Sequence, residues 1–247
     1  MSGHSKWSKI KRAKGAQDKK RGKIFTRCIH EISTAVREGG GPDPDSNPRL
    51  RLAMDKARSS NMPGDNIARA IKRASGGDKD SIQSEVVYEG YGPGGTAVLV
   101  ETLTDNRNRT VGEIRHAFSR AGGALGENGC VAWMFSKKGL IVIEKGNVSE
   151  DDVMEVALDA GADDVAQEDD AFEVTCDPSV FVSVRAALES KFKIVEAEVQ
   201  MIPTTTQKLS GKEADQMIRL VETLEDLDDV MSVATNCEFD DNYTLGN

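Results

Sequence analysis

Apolar positions recur with two different periods along the 247 residues, and the switch between them divides the chain. Over residues 24–37, Phe25, Ile29, Ile32 and Val36 follow at spacings of four, three and four, the single stripe of an amphipathic helix. Gly39-Gly40-Gly41 stops it. Asn47 before Pro48 reads as an N-cap followed by a first-turn proline and predicts a second helix to about Arg58, with Leu50, Ala53, Met54 and Ala57 on its apolar face. After a turn over residues 59–62, Pro63 opens a third helix to about Ala74, which turns Ile67, Ala70, Ile71 and Ala74 inward. These last two helices are joined as in a helix-turn-helix, an arrangement that most short helical pairs share without binding DNA.

Beyond Gly76-Gly77 strand formers take over. Residues 86–88 form a short strand, GYGPGG a turn, and residues 96–103 (TAVLVETL) a strand apolar enough for burial on both faces. The polar loop TDNRNR leads to Thr110, which with Glu113 makes a capping-box pattern before a helix carrying Val111, Ile114 and Phe118. Gly122-Gly123 ends that helix, and residues 130–135 (CVAWMF) are predicted as a strand. Next come a strand at 140–144, a helix capped by Ser149 and Asp152 and closed by Gly161, and a hairpin of 164–167 with 172–176. A helix from Asp177-Pro178 and a strand at 195–202 follow. This order, βαββαβ, is the ferredoxin-like pattern.

After Pro203, Ser210 and Glu213 cap a helix with Ala214, Met217, Val221 and Leu224, and residues 231–238 form a last strand. That tail has no partner of its own, and the strand–helix–strand section from 96 to 135 lacks a second half. Joining the two completes one unit. The predicted fold class is therefore α+β and multidomain: a helical N-terminal domain plus two α/β domains, one of them ferredoxin-like and inserted into the other. The expected divisions are 1–77 (a basic arm and three helices), 78–135 with 204–240 (a discontinuous α/β domain) and 136–203 (the insert).

Charge sharpens this division. The chain carries a formal −9, yet residues 1–75 hold 18 Lys/Arg against 7 Asp/Glu, and residues 76–247 hold 14 against 34. Segregation of this kind signals a polyanionic partner for the cationic part. No apolar run approaches the roughly 20 residues of a membrane span, and no hydrophobic signal-peptide core follows the N-terminal charges, so no membrane role is expected and the expected location is cytoplasmic. Cys28, Cys130, Cys176 and Cys237 are scattered without a CxxC pair, as reduced core thiols would be, and His4, His30 and His116 are too dispersed for a metal cluster. The glycine-rich GYGPGG and GGALGENG match neither a dinucleotide fingerprint nor a P-loop. No catalytic residue, metal or cofactor is predicted.

The chemistry concentrates in the first 27 residues. Lys6, Lys9, Lys11, Arg12, Lys14, Lys19, Lys20, Arg21, Lys23 and Arg27 stand against one acid, Asp18. Each phosphate that such a cation neutralises releases counterions, which gives strong, salt-sensitive affinity. Residues 1–23 hold few large apolar groups and are expected to order only on a partner. Trp7 either stacks on an exposed base, worth about 1–3 kcal/mol, or docks on the helical domain. Arg69, Lys72 and Arg73 supply a second cationic surface from the third helix, whereas Arg107 and Arg109 read as a solvated loop. Lysine contacts to a backbone carry little base information, so these residues leave DNA and RNA equally open.

Five segments carry a family resemblance: GHSKW at 3–7, IKRAKGAQDKKRGKIF at 10–25, NMPGDNIARAIKRA at 61–74, YEGYGPGGTAVLVETLTDNRNRT at 88–110 and GCVAWMF at 129–135. Together they resemble the YebC/PmpR family, to which the mitochondrial translational activator of cytochrome c oxidase also belongs. The resemblance implies three domains and a non-enzymatic, nucleic-acid-binding regulator. With its SGHSKW start the chain is similar to bacterial cytoplasmic members, described as probable DNA-binding transcriptional regulators, while other members resemble ribosome-associated translation factors. The implied partner is promoter DNA, or ribosomal RNA on the ribosome, with His4, Trp7 and the cations named above as contacts. No oligomeric state is implied.

Overall fold

The computed structural model describes residues 17–76, 84–104, 106–168 and 171–239, with side chains from residue 24 onward. Among the described residues three helices come first: α1 (Gln17–Glu38), α2 (Pro48–Ser59) and α3 (Gly64–Ser75). The start of α1 lies seven residues before the predicted one. Gln, Lys and Arg are good helix formers, and extending a helix already anchored by packing avoids the unfavourable nucleation step. Ile32, Val36, Leu50, Ala53, Ala57, Ile67, Ala70 and Ala74 form the shared core, with Cys28, Ala35 and Met62 added to the expected set. Asn47 does more than its predicted capping. Its Oδ1 accepts from the Leu50 amide at 3.0 Å, while its Nδ2 donates to the carbonyls of Ala35 at 2.7 Å and Gly41 at 2.9 Å, so one buried amide closes the end of α1 and opens α2.

The rest is mixed α/β. Strands β1 (Ser84–Tyr91) and β2 (Ala97–Thr104) form an antiparallel hairpin, followed by α4 (Arg107–Arg120) and the two-residue β3 (Ala124–Leu125). Next come β4 (Phe135–Glu144), α5 (Glu150–Asp159), β5 (Asp164–Gln167), β6 (Ala171–Cys176), α6 (Phe181–Glu189) and β7 (Ile194–Pro203). The chain closes with β8 (Gln207–Leu209), α7 (Gly211–Glu225), β9 (Val230–Thr235) and β10 (Cys237–Phe239). One antiparallel sheet runs β3-β1-β2-β9, a second β5-β6-β4-β7, and β8 pairs in parallel with β10. The pairing of β2 with β9 links residues on either side of the second sheet's whole sequence.

As expected, β2 is buried on both faces; every residue but Glu101 is shielded. Val98 and Val100 face α4 and α7, packing with Ile114, Phe118, Met217 and Val221. On the opposite face Ala97 and Leu99 join Val131, Phe135 and Ala234, with Met201 of β7 against them. In the second sheet Ile141, Ile143, Phe172 and Val174 pack under α5 and α6 with Val153, Ala157, Val184 and Leu188. Gly139 is required where β4 passes α6: an added Cβ would lie 2.5 Å from the Phe181 ring and 2.7 Å from the Cys176 sulfur.

Four local expectations are corrected. The predicted last strand is two, β9 and β10, which part at Asn236 and join different sheets, and Ser210 precedes α7 without a side-chain capping hydrogen bond. Thr110 does not open α4; Asn106 does, its side chain accepting from the Arg109 amide at 3.1 Å, which turns the predicted polar loop into the first turn of the helix. Residues 130–134 are not a strand. They form a turn ending in a 3-10 segment, Ala132–Met134, because the buried Glu89 carboxylate takes the amides of Gly129 at 2.7 Å, Val131 at 2.9 Å and Ala132 at 2.7 Å away from any ladder. The strand begins at Phe135 instead and runs unbroken through the predicted 140–144.

Candidate nucleic-acid interface

The apolar face of α3 buries Ile67, Ala70 and Ala74, and the 3.6-residue period turns Arg69, Lys72 and Arg73 to the exposed side together. Arg69 is steadied by its own helix: its Nε donates to the Asp65 carbonyl at 3.2 Å and its guanidinium to the Asn66 side chain. Lys72 and Arg73 lie in the last turn, where cations are favoured by the helix dipole. Among the described residues no carboxylate is paired with any of the three.

The cations of α1 and α2 behave differently. Arg27 is half-buried and donates through its guanidinium to the backbone carbonyl of Glu225 at the end of α7, so it is not brought together with Arg69, Lys72 and Arg73. Arg49 meets Glu38 at 3.1 Å and also Glu85 of β1. Lys56 lies 2.9 Å from Glu31 and 4.0 Å from Glu198 of β7. Burial alone would lower the Lys56 ammonium, but Glu31 and Glu198 outweigh it and hold it above its ordinary value. These side chains join the helices to the sheets. Lys19, Lys20, Arg21 and Lys23 belong to the first turns of α1, so residues 17–23, contrary to expectation, do not await a partner to take up structure, while His4, Lys6, Trp7, Lys9, Lys11, Arg12 and Lys14 lie outside the described residues.

Arg107 and Arg109 are also separated. Arg109 binds Asp229 with both carboxylate oxygens, at 2.9 and 2.6 Å, and the same carboxylate accepts from Thr110 at 2.6 Å and Thr104 at 3.0 Å. Burial would raise the Asp229 carboxyl; the hydrogen bonds of Thr110, Arg109 and Thr104 and the guanidinium charge prevail and hold it below the ordinary carboxylate range. Glu89 is likewise held low, its burial outweighed by the three backbone amides. Neither carboxylate stood out in the sequence, since each is defined by partners 40 or more residues away.

Trp133 was missed as well. It is 69% exposed, and both its indole N–H and the Tyr91 hydroxyl donate to the Cys130 carbonyl at 3.1 Å. All four cysteines are free; burial raises their thiols, Cys237 to about 11. Among the described residues no group of His, Cys, Asp or Glu is arranged to hold a metal, and no helix is long and apolar enough to cross a membrane.

The family model of the TACO1/YebC N-terminal domain matches residues 5–77, and that of the TACO1/YebC second and third domain matches residues 83–237. The chain belongs to the TACO1/YebC family. Among its relatives, a protein of Desulforapulum autotrophicum named a probable transcriptional regulatory protein is 55% identical over 242 residues, 98% of each chain. One of Geobacter sulfurreducens with the same description is 56% identical over 237 residues, 96% of this chain and 95% of that one. The crystal structure of a conserved hypothetical protein from Aquifex aeolicus, 41% identical, superposes with a TM-score of 0.83 over 93% of this chain and 95% of that one. The TACO1/YebC family is a family of regulators and not of enzymes.

Proposed function

We propose that this protein is a DNA-binding transcriptional regulator of the cytoplasm, gripping the phosphate backbone with its cationic N-terminal segment and the outer face of α3. The observation that carries this reading is the alignment of Arg69, Lys72 and Arg73 on one exposed helix face without carboxylate partners among the described residues, while the neighbouring Arg49 and Lys56 are engaged by Glu85 and Glu198 of the sheets. The sequence adds the positive charge of Lys6, Lys9, Lys11, Arg12, Lys14, Lys19, Lys20, Arg21 and Lys23, with His4 and Trp7 among them. Arg27, turned to Glu225, contributes least. The names of the relatives support transcription as the process.

The proposed organisation serves the same end. Residues 1–77 form the binding unit; residues 78–135 and 204–240 form one discontinuous α/β domain, and residues 136–203 a ferredoxin-like insert. The pairing of β2 with β9 and the separate cores of the two sheets support this division. The acidic sheets repel phosphate and so confine nucleic acid to the helical side.

Deletion of residues 2–16 is expected to remove measurable affinity for duplex DNA at 150 mM salt, with the circular-dichroism spectrum of the remainder preserved. The triple variant Arg69→Gln, Lys72→Gln, Arg73→Gln is expected to reduce the slope of log affinity against log salt by about 2–3, close to one per lost phosphate contact. Affinity that survives the deletion, or an unchanged slope, overturns the proposed interface. Parallel titrations with promoter duplexes and ribosomal RNA fragments test the nucleic acid itself: preference for RNA, with salt-sensitive cosedimentation with ribosomes, replaces transcription by translation.

A further inference from the structure

The two sheets meet by their edges. β7 ends the order β5-β6-β4-β7, and β9 ends the order β3-β1-β2-β9. The strands come together where Met201 packs against the cluster containing Ala234, and part toward the beginning of β7. A cleft opens between them under α1 and α2. Its narrow part, about 330 Å³, is bounded by Glu198, Gln200, Ser232 and Thr235; the wider part, about 930 Å³, by Val87, Val195, Glu196 and Phe181.

A strand at a sheet edge presents a row of backbone donors and acceptors, and such edges are ordinarily blunted by lysine, proline or a covering element. β7 has no lysine, and its proline comes only at its last position, Pro203. Its charges are Glu196 and Glu198, which alternation places on the face away from α5 and α6, while Ala197 and Val199 turn toward those helices. Val195 and Val87 are 46% and 41% exposed in the cleft wall. Carboxylates outnumber cations along the cleft: Arg49, Lys56 and Arg185 are already engaged by Glu85, Glu198 and Glu189, Arg27 donates to the backbone carbonyl of Glu225, and Lys137 is the remaining cation of the lining.

We propose that this cleft binds an extended lysine- and arginine-rich segment of a partner protein, added as a strand along the outer edge of β7. Backbone pairing to an edge strand supplies affinity, and side-chain alternation supplies specificity. Cations at every second position of the segment meet Glu196 and Glu198, and the residues between them lie against Val195. Phosphate is repelled by the same carboxylates, so this surface is distinct from the cationic face of α3 and does not rest on the nucleic-acid reading.

The test uses the full-length protein and a fluorescein-labelled decapeptide alternating lysine with threonine and valine. Fluorescence anisotropy is expected to show saturable binding, and amide hydrogen exchange to slow across residues 194–200. The double variant Glu196→Gln, Glu198→Gln, which keeps side-chain size, is expected to bind about tenfold or more weakly with an unchanged melting temperature. A peptide with glutamate in place of lysine is expected not to bind. Binding that is indifferent to the double variant, or that leaves β7 exchange unchanged, overturns the proposal. If binding emerges only after residues 2–16 are deleted, the occupant is this chain's own arm; if the peptide disperses a dimer, it is a second copy. Either result also overturns it.

Discussion

In the helical region the charged side chains keep to the surface, and in the sheet region a few carboxylates are drawn inside. Arg69, Lys72 and Arg73 stand exposed on α3, and the Arg49–Glu85 contact between the regions leaves both side chains about half exposed, at 47% and 52%. Asp229 and Glu89, by contrast, are 6% exposed, and each is enclosed by several donors. The same chemical groups therefore serve different ends. An exposed cation keeps its charge available to a partner, and its ion pairs contribute little to stability. A buried carboxylate with its hydrogen-bonding capacity filled fixes the backbone around it, and loss of either partner leaves the other stranded. Substitutions should divide accordingly, into effects on binding in one region and on stability in the other.

The largest effect is expected from Asp229→Ala. It leaves the buried hydroxyls of Thr104 and Thr110 without their acceptor and removes a charged hydrogen bond from the half-exposed Arg109, and should destabilise the sheet region by about 3–5 kcal/mol. Urea unfolding followed by far-ultraviolet circular dichroism measures this; a loss below about 1 kcal/mol would erase the contrast between the regions.

Ile32→Ala should come next. Ile32 is fully buried in a cluster confined to α1, α2 and α3, so a loss of about 2–4 kcal/mol is expected there. Calorimetry resolves whether the regions melt apart: the transition assigned to the helices should move to lower temperature while that of the sheets stays. A common shift of both transitions would mean that the ionic contacts couple the regions more tightly than exposed pairs normally do.

Acid should act more gently and in the opposite place. The Asp229 and Glu89 carboxyls are held below their ordinary values of 3.8 and 4.5, so their contribution is complete above those values and is lost as pH falls through the lower folded-state ones. Below about pH 4.5 the sheet transition should therefore fall with pH, and Asp229→Asn should flatten that fall. A slope unaffected by the variant would show that other carboxyls control acid stability.

Much of the architecture was legible because it is written locally. The stripe of Ile32 and Val36, the Asn47-Pro48 helix start and the Ser149 cap each follow from residues within about one turn of one another, and each stands as expected. So does the all-apolar β2. The failures share a cause too. CVAWMF has the composition of a strand, but Glu89, some 40 residues earlier, claims its amides. Arg107 and Arg109 are equivalent in a polar run, yet only Arg109 reaches Asp229, 120 residues on. Arg27 belongs by sequence to the cationic segment and by contact to the end of α7, 198 residues away.

The sequence by itself determined the periods, the caps and the segregation of charge, and with them three helices followed by α/β units and a cationic end suited to a polyanion. Helical and strand periods arise from the backbone geometry of neighbouring residues, and net charge is additive along the chain. Which charges remain available was decided only by the tertiary structure. Coulombic and hydrogen-bonding partners are chosen by distance in space, and the joining of β2 to β9 across an intervening sheet sets those distances. It withdrew Arg27 and Arg109 from the surface set, left Arg69, Lys72 and Arg73 on one open face, and set the edges of two sheets against a common cleft.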